Sequence, residues 1–158
     1  MRGTTLEKLM EEWSEDSALN LSILDVESAK VSKMHSKYLN YLTYHNMVAK
    51  SINADYIELK RLKSEYYNGM HNTNKEFLEK YGLEPVRNLI LKQDIPMYLD
   101  SDKDLTRLSL KKTAHEEIVE YCRYVIKEIA NRQWNIRNAI EFMKFTGGGD
   151  VINMKNET

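Results

Sequence analysis

"VSKMHSKYLNYLTYHNMVAKSINADYIELKRLKSEYY", residues 31–67, holds neither glycine nor proline. Val31, Met34, Tyr38, Tyr41, His45, Val48, Ile52, Asp55, Leu59, Leu62 and Tyr66 recur along it at alternating steps of three and four. That spacing puts them on one face of an α-helix as a heptad seam with two polar members, His45 and Asp55. A helix over 25–67 would be about 60 Å long at 1.5 Å per residue. It cannot bury its seam against itself, so it needs another helix from this chain or a neighbour.

The rest of the chain fits this reading. Of 158 residues only six are glycine and two proline, and the apolar fraction is 42%. Few turns are therefore obligatory, and long amphipathic, coiled-coil-like helices in an all-α fold are expected. The one cysteine, Cys122, excludes an internal disulfide and points to a reducing, intracellular home. No stretch approaches the roughly 20 apolar residues of a membrane span, and the N-terminus lacks a signal-type apolar region. A soluble, cytoplasmic protein is expected.

Outside the seam, Thr4 and Glu7 suggest a capping box for a short helix with Leu6, Leu9, Met10 and Trp13 at helical spacing. "NKEFLEKYG" suggests another, with Gly82 as its C-cap. Both prolines fall in a connector over about 68–104, where a short strand at 89–92 is expected. A last helix over about 105–145 carries a wide stripe that includes Ile118, Cys122, Val125, Ile129, Arg132, Ile136, Ile140 and Met143. The organisation expected is one helical domain over 1–145 followed by a flexible tail over 146–158 that contains three consecutive glycines.

Charge is uneven. Residues 1–29 hold two cations against seven carboxylates, and residues 30–63 hold seven cations against two, giving −5 and +5 in a chain of net −1. The basic segment hints at an anionic ligand. On a helix Tyr56, Lys60, Lys63 and Tyr67 form one stripe, with rings at its ends and cations between, while Arg61 lies about 200° around from Lys63. Single-stranded nucleic acid calls for such a combination, with cations for phosphates and flat rings for bases. A solvated face with Glu58 and Glu65 in local ion pairs is the other reading that the residues leave open.

Catalytic and metal signatures are absent. Asp100, Asp102 and Asp104 stand at the first, third and fifth positions of a calcium loop, but Leu105 and Lys111 occupy the positions that require Gly and Glu. An acidic cap on the following helix fits better. The four histidines have no shared ligand spacing, and no phosphate loop or nucleophile motif occurs. No cofactor, no metal and no enzymatic activity are expected.

"LEKLMEEW", "SKYLN" and "ELKRLKSEYYNG", then "SDKDL", "ANRQWNI" and "AIEFMKF", keep their separations over about 110 residues and carry a resemblance to the UvsY recombination mediators of T-even-like bacteriophages. Such a member would be no enzyme. It would form a hexameric or heptameric homo-oligomeric ring, bind single-stranded DNA, and help a RecA-like recombinase of the UvsX type displace the phage single-strand-binding protein in recombination, repair and replication. Its place would be the cytoplasm of the infected host. The family's DNA motif maps onto Arg61 and Lys63 ahead of Tyr66, Tyr67, Asn68 and Gly69, and the helical stripe adds Tyr56, Lys60 and Tyr67 as candidate strand contacts. Its assembly helix maps onto Ile118, Val125, Ile129, Ile136, Ile140 and Met143. A coiled-coil adaptor with no nucleic-acid role is the alternative.

Overall fold

The structure, a computed structural model, describes residues 5–88 and 90–154, the side chains of 147–154 excepted. It contains α1 (Leu6–Ser17), a 3-10 turn (Leu21–Ile23), α2 (Leu24–Tyr67), α3 (Lys75–Tyr81), α4 (Ile95–Asp100) and α5 (Lys103–Met154). The fold is all-α, and no strand occurs among the described residues. Where a strand was expected over 89–92, Ile90 and Leu91 are coil and Lys92 begins a turn into α4. Ile90 packs on an apolar cluster instead of pairing with another chain segment. Leu89 lies outside the described residues. Thr5 caps α1, accepting from the Lys8 amide at 3.3 Å, whereas Thr4, the expected cap, is also outside them. The backbone of α5 runs on to Met154, through the glycines assigned to a flexible tail. Extending an existing helix needs no new nucleus. Residues 155–158 of that tail lie outside the described residues.

The chain divides into two compact units. The first is Met1–His45 with Glu117–Thr158, and the second is Asn46–Glu116.

In the first unit α1, the early part of α2 and the later part of α5 close on Leu9, Leu24, Val31, Met34, Tyr38, Ile118, Cys122, Val125, Ile129 and Ile136. Each aliphatic member so buried contributes about 1.5–3 kcal/mol. Trp13 meets Tyr38 edge to face with ring centroids 5.5 Å apart. Burial pushes the Cys122 thiol up to about 11, so this sulfur is core filling and not a nucleophile. Arg132, the one cation in the α5 stripe, is buried. It donates to the Ser17 and Ala18 carbonyls at 2.5 and 2.8 Å and to Glu27 Oε2 at 2.6 Å, so it closes the end of α1.

The second unit holds the rest of α2, all of α3 and α4, and the start of α5. Its apolar centre is Ile95, Leu99 and Leu105, with Tyr56, Leu59, Tyr67 and Ile90 packed on it. Of the two polar seam members His45 is buried, as a seam residue should be, but Asp55 is exposed. Past His45 the inward line moves to Ala49, Tyr56 and Lys63, because a straight α-helix drifts about 20° per heptad. α2 stops in a Schellman motif: the Met70 amide donates to Glu65 O at 3.1 Å and the Gly69 amide to Tyr66 O at 2.9 Å. Gly69 sits at φ +77, a conformation that side chains disfavour. The glycine of the Tyr-Tyr-x-Gly ending is thus a helix stop. Gly82, at φ +61, ends α3 as its composition suggested.

Candidate nucleic-acid interface

Five residues at the end of α2 were expected to grip a strand, and the structure separates them into two groups. Tyr56, Lys63 and Tyr67 face the second unit's interior, while Lys60 and Arg61 face outward. The Lys63 side chain is only 11% exposed and sits between two carboxylates, Asp102 Oδ2 at 2.9 Å and Asp104 Oδ2 at 3.1 Å. Asp102, 5% exposed, is the hub of that cluster. Its Oδ1 accepts from the Asp104 and Leu105 amides at 3.0 and 3.1 Å, which makes it the N-cap of α5. Its Oδ2 also accepts from the Tyr67 hydroxyl at 2.9 Å. The acidic-cap reading of "DSDKDL" therefore holds, with Asp102 as the capping residue.

Charge follows geometry. Burial alone would lower the Lys63 ammonium, but the hydrogen bonds to Asp102 and then Asp104 outweigh it and hold the group above an ordinary lysine. Burial likewise works to raise Asp102. The Lys63 hydrogen bond, the Leu105 amide and the Tyr67 hydroxyl reverse that and keep the carboxyl below its usual range. Tyr67 is shifted upward, by burial first and then by its bond to Asp102, so it stays a donor. A charge engaged in this way holds α2 to the start of α5 and is not open to a ligand.

The outward pair differs. The Arg61 side chain is 62% exposed, and its partner is Glu65 one turn later at 2.5 Å. An exposed pair of this kind contributes only about 0.3–0.5 kcal/mol, so a phosphate can displace it. Glu65 has a second partner, His71 Nε2 at 3.1 Å, and the His71 ring stacks on Phe77 with centroids 3.7 Å apart. Lys60 is exposed, with its Nζ 5.9 Å from the centre of the Tyr56 ring, at the outer limit of a cation–π contact. The face can therefore bind phosphates, but Tyr56 and Tyr67 are packed inside and offer no open platform for bases. Tyr66 has a structural task, donating to Glu84 O at 2.8 Å and fixing the loop after α3. Asp102 and Asp104 join this cluster through their bonds to Lys63. Their signal was the acidic triplet at a helix start, which can mean a cap, a cation partner or both.

The six residues matched to assembly also divide. Ile118, Val125, Ile129 and Ile136 are buried in the first unit's own core, and Ile140 packs against it. Residues of α1 and α2 pack against them within that core. Only Met143 is open, together with Tyr124, Trp134 (67% exposed), Phe142 and Phe145 (82% exposed). Of the six residues expected to form the contact, Met143 alone belongs to the exposed apolar surface of α5.

Among the described residues no group of histidine, cysteine, aspartate or glutamate is arranged to hold a metal ion. No described helix is long and apolar enough to cross a membrane. Open cations on a helix surface are what a protein that binds an anionic partner presents. The family model for the recombination, repair and single-stranded-DNA-binding protein UvsY matches residues 12–149, and the chain belongs to that family, whose members are recombination mediators and not enzymes. The fold is also that of solved structures of the bacteriophage T4 recombination mediator protein UvsY. One crystal lattice of that protein superposes with a TM-score of 0.78 at 21% identity, covering 91% of this chain and 98% of that one. Two others give 0.77 at 19% identity, covering 90% and 99%, and 0.76 at 20%, covering 87% and 98%. No curated protein matches the sequence. Membership carries a role in recombination and repair with single-stranded DNA as ligand.

Proposed function

We propose that the chain is a recombination mediator that loads a RecA-like recombinase onto single-stranded DNA covered by single-strand-binding protein, in the cytoplasm of an infected bacterial host. Family membership over 12–149 carries the reading. Lys60 and Arg61 make the strand contacts in α2, and Lys63 holds the surface that presents them. Two exposed cations make a weak site. A hexameric or heptameric ring multiplies such sites on one strand through effective concentration, so a chain of net charge −1 can still bind DNA well. The open apolar residues of α5, Trp134, Phe142 and Phe145 among them, give that assembly a surface to bury. Held on the ring, the strand is extended away from the single-strand-binding protein and offered to the recombinase, which supplies the nucleotide hydrolysis.

Strand exchange by a cognate recombinase on protein-coated single strands tests this directly. Adding the chain shortens the lag before exchange. An unchanged lag, with oligo-dT binding intact, would show a DNA-binding protein without mediator activity. Binding that is absent or insensitive to salt would favour the coiled-coil adaptor, since phosphate contacts weaken as salt rises.

A further inference from the structure

The first turns of α5 carry a second set of cations that the α2 motif does not include. Lys103, Arg107 and Lys111 follow one another at four-residue steps, so they share a face and stand about 6 Å apart along the axis. All three are exposed and line one shallow groove of about 550 Å3, with Ser101, Thr106 and Leu110 completing its wall. Among the described residues no carboxylate lines it. A comparable groove in the first unit, about 530 Å3, also has three lysines, Lys30, Lys33 and Lys37, but Glu15, Asp16 and Glu27 stand among them. That groove is neutralised by its own walls, and the α5 groove is not. Among the described residues the internal partner is Asp104, whose Oδ1 is 3.3 Å from Arg107 while its Oδ2 is 3.1 Å from Lys63. Both side chains of the Arg107–Asp104 pair are open to solvent, so the contact is weak.

We propose that Lys103, Arg107 and Lys111 form a second phosphate track for single-stranded nucleic acid, separate from Lys60 and Arg61. This rests on the single-strand-binding reading above. A helical row of cations one turn apart can meet successive phosphates of an extended strand, each neutralised phosphate releasing counterions. Leu110, 66% exposed beside the row, gives a base an apolar edge. Asp104 is the brake on this track, since its carboxylate competes with phosphate for Arg107.

The test is oligo-dT binding by the full chain over a salt series, by anisotropy, with Lys103→Gln/Arg107→Gln/Lys111→Gln beside a charge-matched control, Lys75→Gln/Lys80→Gln/Lys92→Gln. Losing three single-strand contacts lowers the slope of log affinity against log salt by about 2, so the loss between 50 and 200 mM salt is roughly twentyfold smaller than for the wild type. The control keeps the wild-type slope. Asp104→Asn, which leaves Lys63 its Asp102 partner, binds more tightly than wild type and guards against a folding defect in the triple variant. A wild type that binds with steep salt dependence while the triple variant keeps the same slope overturns the track and leaves Lys60 and Arg61 standing. A triple variant with unchanged DNA binding that no longer captures an acidic peptide assigns the groove to a protein partner, and also overturns it. A wild type with no salt-dependent binding overturns the single-strand reading and the track with it.

Discussion

Two stretches of α2, residues 30–37 and 60–63, carry three cations each and use them differently. In the first, Lys37 pairs with Glu12 at 2.9 Å and Asp16 at 2.8 Å, both on α1, and Lys30 pairs with Glu27 at 2.8 Å. The hydroxyls of Tyr38 and Tyr41 add bonds to Asp16 and Glu12. Part of the −5 and +5 asymmetry of the sequence is therefore answered inside the first unit, Lys37 against the acidic α1 and Lys30 within α2 itself. In the second stretch one cation, Lys63, is taken up in the same way by Asp102 and Asp104, and two remain outside. A count of lysines and arginines thus says little about nucleic-acid binding until the carboxylates that the fold places beside them are known.

The largest effect that would sharpen this contrast lies at Asp102. Asp102→Ala removes the N-cap of α5 and leaves Lys63 buried without its inner partner, at an expected cost of about 3–5 kcal/mol in chemical denaturation. Lys63→Met keeps the packing of the stem but removes the charge. It costs about 2–3 kcal/mol, because Asp102 retains its two amides and the Tyr67 hydroxyl. Equal stability of Lys63→Met and wild type would break the assignment of Lys63 as a strut.

The same cluster sets a pH window. Asp102 lies below its ordinary 3.8 in the folded chain, so its contribution is present above that pH and fades as pH falls through the folded value. Lys63 lies above its ordinary 10.5, so its share is present below that pH and fades as pH rises through the folded value. Denaturation curves measured from pH 5 downward should show wild type losing more stability than Asp102→Asn. Parallel curves would remove Asp102 from the account. The smallest effect belongs to the first stretch. Lys37→Ala costs about 1 kcal/mol or less, as its side chain is about one-third exposed, and leaves the salt dependence of oligo-dT binding unchanged.

Much of the fold was legible because the signals were local and long. An unbroken three-four spacing with no glycine or proline can hardly be anything but a helix, and α2 spans Leu24–Tyr67 against the expected 25–67. Gly82 marked the end of α3 for the same reason. Less was legible where partners are distant in sequence. Nothing near Lys63 announces that Asp102, 39 positions later, will neutralise it. Nothing in the α5 stripe says whether Ile118, Val125, Ile129 and Ile136 meet a neighbouring copy or the chain's own α1 and α2. Of the stripe Tyr56, Lys60, Lys63 and Tyr67, three members turn inward and Lys60 turns outward. Arg61, read as pointing elsewhere, points to solvent because it is about 200° from Lys63.

The central claim is that Lys60 and Arg61 hold the strand in α2 while Lys63 holds the fold. The slope of log affinity against log salt for oligo-dT, measured for Lys60→Ala/Arg61→Ala and for Lys63→Met, tests it most directly. Loss of two phosphate contacts flattens the slope by about 1.4 in the double variant, with its melting unchanged, while Lys63→Met keeps the wild-type slope and melts lower. A flattened slope in Lys63→Met at unchanged stability, with the double variant binding as wild type, would contradict the account.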